Sequence, residues 1–421
     1  MDKLIVTGGA PLKGTINVSG SKNSALPILA ATLLTKDQCI IRRVPDVSDT
    51  NYMLQIISQL GGAVERASGN VVISAEEISH KTPYDIVRKM RASVCMMGPL
   101  VARLGKADVS LPGGCIIGDR PIDLHLRALR ELGADVDVTG GTVIIRVADT
   151  LKGAEINLRG KFGSTVLGTD NLMMAATLAK GRTIIEGAAA EPEVIDLADF
   201  LNKMGAKIAG AGTRRIEIEG VDELHGAEHT VVPDRIEAGT FMVAAAMAAE
   251  DELTIDRIRP DHLVAVTETL RSCGHEVTIS GEKAIVRRNP AAKGTRIRTG
   301  PYPEFPTDMQ AQMTALFAIS EGISTVVDTI FPERFMHLPE LQRMGAEVDR
   351  QGNTAIIEGG KPLTGAPVMA SDLRASAALV LAALCAKGET EINRLYHIDR
   401  GYEHIDEKLM GVGAQMRRAR A

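Results

Sequence analysis

A single thiol, Cys115, lies in the run Leu111-Pro-Gly-Gly-Cys-Ile-Ile-Gly-Asp-Arg-Pro-Ile-Asp-Leu-His125, with Gly113, Gly114 and Gly118 around it and Arg120, Asp123 and His125 beyond it. Glycine at that density neither packs as a regular strand nor propagates a helix. The segment 111–125 therefore reads as a mobile lid that carries chemistry, with a thiol, a guanidinium and a carboxylate within eleven residues. A surface turn with a chance cysteine is the competing reading. Three further cations stand where a helix start disfavours them. Lys22 and Asn23 follow Ser21, Arg91 opens a second apolar stretch, and Arg374 follows Ser371-Asp372. A cation fits there when an anion fills the space between it and the helix end; otherwise each snorkels to solvent. Arg334 in Pro332-Glu-Arg-Phe-Met-His337 and Arg400 in His397-Ile-Asp-Arg-Gly-Tyr-Glu403 precede amphipathic stretches and can face a cleft. Asp308 follows Phe305-Pro-Thr307, where it is either a functional carboxylate or an ordinary first-turn charge.

The elements that must position these groups recur. An apolar residue followed by glycine closes a helical stretch at Gly61, Gly133, Gly205, Gly274, Gly345 and Gly413, spaced by 72, 72, 69, 71 and 68 residues. Six copies at one spacing are an internal repeat, and glycine suits the left-handed residue that ends a helix. Each copy predicts a short strand, a small-residue helix that is apolar all round, a second strand, and an amphipathic helix leading to the glycine. The apolar helices are expected over 24–34, 92–104, 172–179, 239–249, 308–320 and 372–386. A helix apolar on every face is buried, and one with a polar face lies outside. The class is α/β: six βαβαββ-like repeats, three per domain, around buried parallel helices. The first strand, near 14–18, precedes the first complete repeat and can therefore belong with the other half, making that half discontinuous. The domains are expected at 22–229, with the mobile Cys115 loop, and at 1–21 plus 230–421.

Composition narrows the function classes. A chain of 421 residues exceeds one ordinary core. With no Trp, 3% aromatics, a net charge of −5 and no basic block, stacking on nucleic acid is disfavoured. Five scattered cysteines without a Cys-x-x-Cys pair suit a reducing cytoplasm; Cys39, Cys95, Cys273 and Cys385 sit in apolar surroundings and read as inert core thiols. Neither a signal peptide nor a membrane span is expected. Phosphate-loop and dinucleotide signatures are absent, and the histidines lack metal-ligand spacing.

The phrases Ser19-Gly-Ser-Lys-Asn-Ser-Ala-Leu-Pro27, Cys115 through His125, Phe305-Pro-Thr-Asp-Met-Gln-Ala-Gln312, Ser371-Asp-Leu-Arg-Ala375 and His397 through Glu403 together resemble the UDP-N-acetylglucosamine 1-carboxyvinyltransferases, within the enolpyruvyl transferases. The resemblance runs essentially end to end. It implies a two-domain inside-out α/β barrel, and transfer of the enolpyruvyl group of phosphoenolpyruvate to the sugar's 3-hydroxyl, the first committed step of peptidoglycan precursor synthesis. Lys22, Arg120 and Arg400 would hold the phosphoenolpyruvate anion, and Arg334 and Arg374 would complete the cationic wall. Asn23 and Arg91 would position the amino sugar. Arg120, Pro121, Ile122, Asp123 and Leu124, with the backbone near Ile330, would contact the nucleotide sugar. Cys115 would protonate the methylene carbon and Asp308 would be the general base. Lys161 and Ser164 would lie at the diphosphate, in a loop about two residues longer than the family's Lys-x-Ser-x-Gly-Ala-Thr pattern. Asp119, before Arg120, departs from the small residue usual there. The transfer chemistry requires no metal or organic cofactor, and no protein partner is implied. Transfer to shikimate 3-phosphate and a non-catalytic nucleotide-sugar scaffold are the alternatives.

Overall fold

A computed structural model describes residues 2–111, 121–160 and 163–420. Among them, five four-stranded sheets and one three-stranded sheet repeat a single topology. A short edge strand runs parallel to its neighbour, and the remaining pairs are antiparallel. Glu155–Asn157, Arg182–Glu186, Arg215–Glu219 and Lys207–Ala209 show it in full. In the three-stranded sheet, Lys106–Ser110, Thr142–Arg146 and Asp135–Thr139, the parallel edge shrinks to a bridge between Lys81 and Asp108. Alternate residues point inward; in Arg182–Glu186 the buried ones are Thr183 and Ile185, the period of two that a one-sided sheet requires.

Two compact units emerge. One runs from Gly20 to Val232; the other takes the chain through Ser19 and from Pro233 onward. Each borrows a strand across the chain order. Leu12–Asn17 pairs in parallel with Ala249–Asp256, not with the first repeat. The first repeat instead receives Glu228–Thr230 as the parallel partner of Cys39–Arg42. Asp2–Thr7 sits between Glu389–Asn393 and Gln415–Arg420, where the last repeat would otherwise lack a strand.

The inner helices explain why each unit holds together. Lys22–Ala31, Met97–Leu104 and Val166–Ala176 belong to the first unit, and Arg235–Ala248, Gln310–Ile319 and Leu373–Cys385 to the second. Every residue of Arg235–Ala248 from Ile236 on is buried. Caps mark four starts: Ser21, Thr165, Asp234 and Asp372 each accept a backbone N–H in the first turn, satisfying donors a helix end leaves open. The third helix begins six residues before the expected Leu172, because Thr165 caps it and Thr169, Asp170 and Asn171 are buried polar residues inside it. The stretch expected as helix from 92 begins instead with a 3-10 segment, Arg91–Met96.

The amphipathic helices Ser48–Gln59, Asp123–Glu131, Pro192–Lys203, Val264–Ser272, Leu338–Arg343 and Ile405–Met410 lie outside. All six closing glycines have φ between 91° and 111°, the half of conformational space that side chains disfavour. No helix among the described residues is long and apolar enough to cross a membrane.

Candidate active site

In the second unit, three of the singled-out residues meet on one carboxylate. Asp308 lies in the 3-10 turn Thr307–Met309 that leads into the inner helix Gln310–Ile319. Its Oδ1 accepts from Arg334 Nη1 at 2.6 Å and its Oδ2 from Arg374 Nη2 at 3.2 Å. Neither arginine snorkels: Arg374 is 1% exposed and Arg334 6%. Burial pulls both guanidiniums toward deprotonation. Asp308 and Asp372 hold Arg334 above its usual value, and Tyr402, Asp308 and Asp234 do so for Arg374. Two guanidiniums stabilise the ionised form of the carboxylate they share.

The scaffold around this clamp is polar and ordered. Arg334 Nη1 also reaches Thr307 Oγ1 at 3.3 Å, and that hydroxyl donates to Asp328 Oδ2 at 2.7 Å. Asp328, fully buried, accepts in turn from Thr299 Oγ1 and from the backbone N–H groups of Ile330 and Phe331. Half-buried Ile330 thus has its N–H engaged by Asp328. Arg374 commits one nitrogen to Asp308, while its Nε and Nη1 are buried without a hydrogen-bond partner among the described residues. Arg400 is half-buried on the segment before Tyr402, where its charge helps keep buried His397 neutral, secondary to burial itself.

In the first unit, Lys22 is the first residue of its helix and 8% exposed; its Nζ lies 3.2 Å from Oδ2 of buried Asp49, in the first turn of the outer helix Ser48–Gln59. Asn23 is half-buried beside it. Ser24 donates to Asp196, which also accepts from His229 Nε2 at 2.7 Å, fixing the helix start that carries Lys22 and Asn23. Arg91 is half-buried at the first position of its 3-10 segment. Pro121 and Asp123 are exposed, and Ile122 and Leu124 half-buried, at the start of Asp123–Glu131. His125 behind them is buried, and burial followed by the Arg91 charge pushes it down to about 4. Its Nδ1 lies 2.9 Å from Asn171 Nδ2. The neutral ring accepts there, since the Asn171 Oδ1 is taken by the Gly98 N–H. Half-buried Ser164 accepts from Arg214 Nη1 at 2.9 Å.

Cys115, Asp119, Arg120 and Lys161 lie outside the described residues. The other four thiols are buried or nearly so, and burial raises each: Cys273 and Cys385 up to about 11, Cys95 well above its ordinary value, and Cys39 in the same direction. Among the described residues no three His, Cys, Asp or Glu side chains converge in a way that could hold a metal ion. Asp49, Asn171, Asp328, Gln312 and Tyr402 escaped sequence reasoning. For Asn171 and Gln312 the available signal was an amide side chain inside an otherwise apolar helix.

The profile of the EPSP synthase family (3-phosphoshikimate 1-carboxyvinyltransferase) matches residues 6–409. A UDP-N-acetylglucosamine 1-carboxyvinyltransferase of Akkermansia muciniphila is 61% identical over 420 residues, 99% of either chain. One of Methylacidiphilum infernorum is 57% identical over 418 residues, again 99% of each. Among solved structures, the enolpyruvyl transferase NikO from Streptomyces tendae superposes with a TM-score of 0.90 at 24% identity, covering 100% of this chain and 99% of that one. EPSP synthase from Acinetobacter baumannii gives 0.77 at 19% identity, covering 100% of both chains. These two likenesses bear on the fold: the inside-out α/β barrel of repeated units.

Proposed function

The chain belongs to the EPSP synthase family of enolpyruvyl transferases, and from that premise we propose that it moves the enolpyruvyl group of phosphoenolpyruvate to the 3-hydroxyl of UDP-N-acetylglucosamine, releasing phosphate. The observation that carries the choice of acceptor is end-to-end identity of 61% and 57% to proteins named for that transfer. The shikimate 3-phosphate alternative has only the name of the family profile in its favour. A non-catalytic scaffold would leave a buried two-arginine clamp on Asp308 without a task.

The reaction needs an acid and a base on opposite ends of one small anion. A proton goes to the methylene carbon of phosphoenolpyruvate while the sugar oxygen bonds to the adjacent carbon, giving a tetrahedral phosphate ketal. Loss of a proton from the new methyl group then restores the double bond as the C–O bond to phosphate breaks. In our reading Asp308 takes the hydroxyl proton and Cys115 supplies the carbon proton. Arg374 suits a double role: Nη2 orients the base, and Nε and Nη1 are available to an incoming phosphate or carboxylate oxygen. Arg334, Arg400, Lys22 and Arg120 share the anion, which preorganised cations stabilise most as charge develops. Asn23 and Arg91 position the amino sugar; Pro121 to Leu124, Ile330, Lys161 and Ser164 serve the nucleotide portion. A place in cell-wall precursor synthesis, a cytoplasmic setting and sensitivity to fosfomycin-type epoxides belong to the same proposal.

Phosphate release from phosphoenolpyruvate, measured with UDP-N-acetylglucosamine and with shikimate 3-phosphate in parallel, tests it. Turnover with the nucleotide sugar alone is the expected result. Turnover with shikimate 3-phosphate alone, or with neither, overturns the proposal.

A further inference from the structure

Behind the Asp308 clamp lies a buried phenol that the reaction does not require. Tyr402 is 1% exposed, and the Arg374 guanidinium carbon sits 5.2 Å above the centroid of its ring. A desolvated cation held over an aromatic face is attracted by the ring quadrupole. The Tyr402 hydroxyl lies 3.0 Å from Thr240 Oγ1 and 3.2 Å from Gln312 Nε2. Counting hydrogens fixes one direction. Thr240 gives its one hydroxyl hydrogen to the Ile236 carbonyl at 2.8 Å, so between the two hydroxyls the phenol is the donor, and Gln312 Nε2 offers one hydrogen to the pair, 3.1 Å from Thr240 Oγ1 and 3.2 Å from the phenol. The Gln312 amide, fully buried, gives another hydrogen to the backbone carbonyl of Asp308 at 2.9 Å. A buried hydrogen-bond network therefore joins the peptide of Asp308, through Gln312, to the Tyr402 hydroxyl and to Thr240 of the inner helix Arg235–Ala248. Burial keeps the phenol protonated, as that network demands.

Asp308 is consequently held twice. Gln312 grips its peptide, and Arg374, backed by the Tyr402 ring, grips its carboxylate. We propose that Tyr402 and Gln312 are positioning residues for the reaction, fixing the peptide and the carboxylate of Asp308 as one unit. The inference rests on the reading of Asp308 as the general base.

The experiment compares kcat, KM and the acid limb of the pH–rate profile in the full-length wild type, Tyr402→Phe, Tyr402→Leu, Gln312→Met and a core control, Val286→Ala. Val286 is a fully buried strand residue of the same unit, outside the network. Tyr402→Phe keeps the ring and loses the hydroxyl; Tyr402→Leu loses both. A misplaced reacting group costs up to ~10²-fold in rate. The expected result is a kcat loss of about tenfold for Tyr402→Phe and Gln312→Met and about a hundredfold for Tyr402→Leu. KM for the nucleotide sugar should stay within about threefold, the remote binding groups being untouched. In Tyr402→Leu the acid limb should also move to higher pH, because a loosened Arg374 stabilises the carboxylate anion less. Val286→Ala should leave that limb in place. An unmoved limb in Tyr402→Leu, with a kcat loss no greater than that of the control, overturns the positioning role while wild-type turnover persists. Absent turnover in the wild type overturns the functional reading itself. Should Tyr402→Leu fail to fold, Tyr402→Phe and Gln312→Met decide: wild-type kcat in both refutes the inference.

Discussion

At the scale of single residues, the chemistry turns on how two groups are poised. Asp308 is a carboxylate whose oxygens are each fixed by a different buried arginine. Asp308→Asn keeps its shape and removes its charge. Turnover should fall ~10²–10⁴-fold, the usual cost of a positioned general base, with nucleotide-sugar affinity within about tenfold. The variant should also melt earlier, since two buried guanidiniums lose the carboxylate they share, while Asp372 and Asp234 remain near them; a complete loss of counter-charge is worth about 3–5 kcal/mol. Retention of more than half the activity in a steady-state assay would remove Asp308 from the mechanism. The thiols give a second test. Thiolate is the reactive form, and burial raises Cys39, Cys95, Cys273 and Cys385. An epoxide of the fosfomycin type should therefore label Cys115 and spare these four in the folded protein. Peptide mapping that finds label on any of the four before unfolding contradicts this.

At the scale of elements, the repeated unit depends on where each outer helix stops. Gly133 has φ +92° and open space where a Cβ would stand, so Gly133→Ala strains only the backbone. The cost should be about 1–2 kcal/mol. Gly61 has φ +110°, and a Cβ there would meet the Glu77 carbonyl oxygen at 2.5 Å. Gly61→Ala must displace backbone as well and should cost clearly more. Denaturant unfolding of the two variants checks the order; equal losses would mean that contact at Glu77 relaxes freely. Under the proposed function element starts matter too, since the segments opening at Lys22, Arg91, Thr307 and Leu373 place a candidate charge in their first turn.

At the scale of the whole molecule, buried ionisable groups tie stability to pH with opposite signs. Burial pushes His275 down to about 4. Between about 6.5, its unfolded value, and 4, the unfolded chain binds the extra proton, so acid costs stability there. His275→Gln removes that penalty and should gain on the wild type as pH falls through this window, by about 1–3 kcal/mol in total. Asp170 is the converse. Burial, then Glu193 and Glu191, raise its carboxyl well above the usual range. Its contribution is complete below its unfolded value and is lost as pH rises through the folded one. Asp170→Asn should therefore gain on the wild type as pH rises. Thermal melts of the variants from pH 4.5 to 8 read both slopes, and parallel curves would refute the assignments.

The sequence alone carried the repeat. An apolar residue plus glycine at near-constant spacing reports a helix end that only glycine enters cheaply, and helices apolar on every face report burial. It also named Asp308, Arg334 and Arg374, on separate grounds: Arg374 as a cation at a helix start, Arg334 in an unusual phrase before an amphipathic stretch, and Asp308 as a first-turn carboxylate. That the three share one salt bridge was decided by tertiary structure, because the residues lie far apart in the chain and no local rule couples them. The start of Val166–Ala176 was misjudged for a related reason. Thr169, Asp170 and Asn171 look like loop residues until a folded core provides Asn171 with Val94, Gly98 and His125 as partners. Strand exchange was half legible. Periodicity shows the strand at 12–17 to be surplus to the first repeat, but only pairing shows that Glu228–Thr230 replaces it. The Tyr402 support was invisible for the deepest reason: a hydrogen-bond chain is a property of distances, and distances between remote residues exist only in the fold.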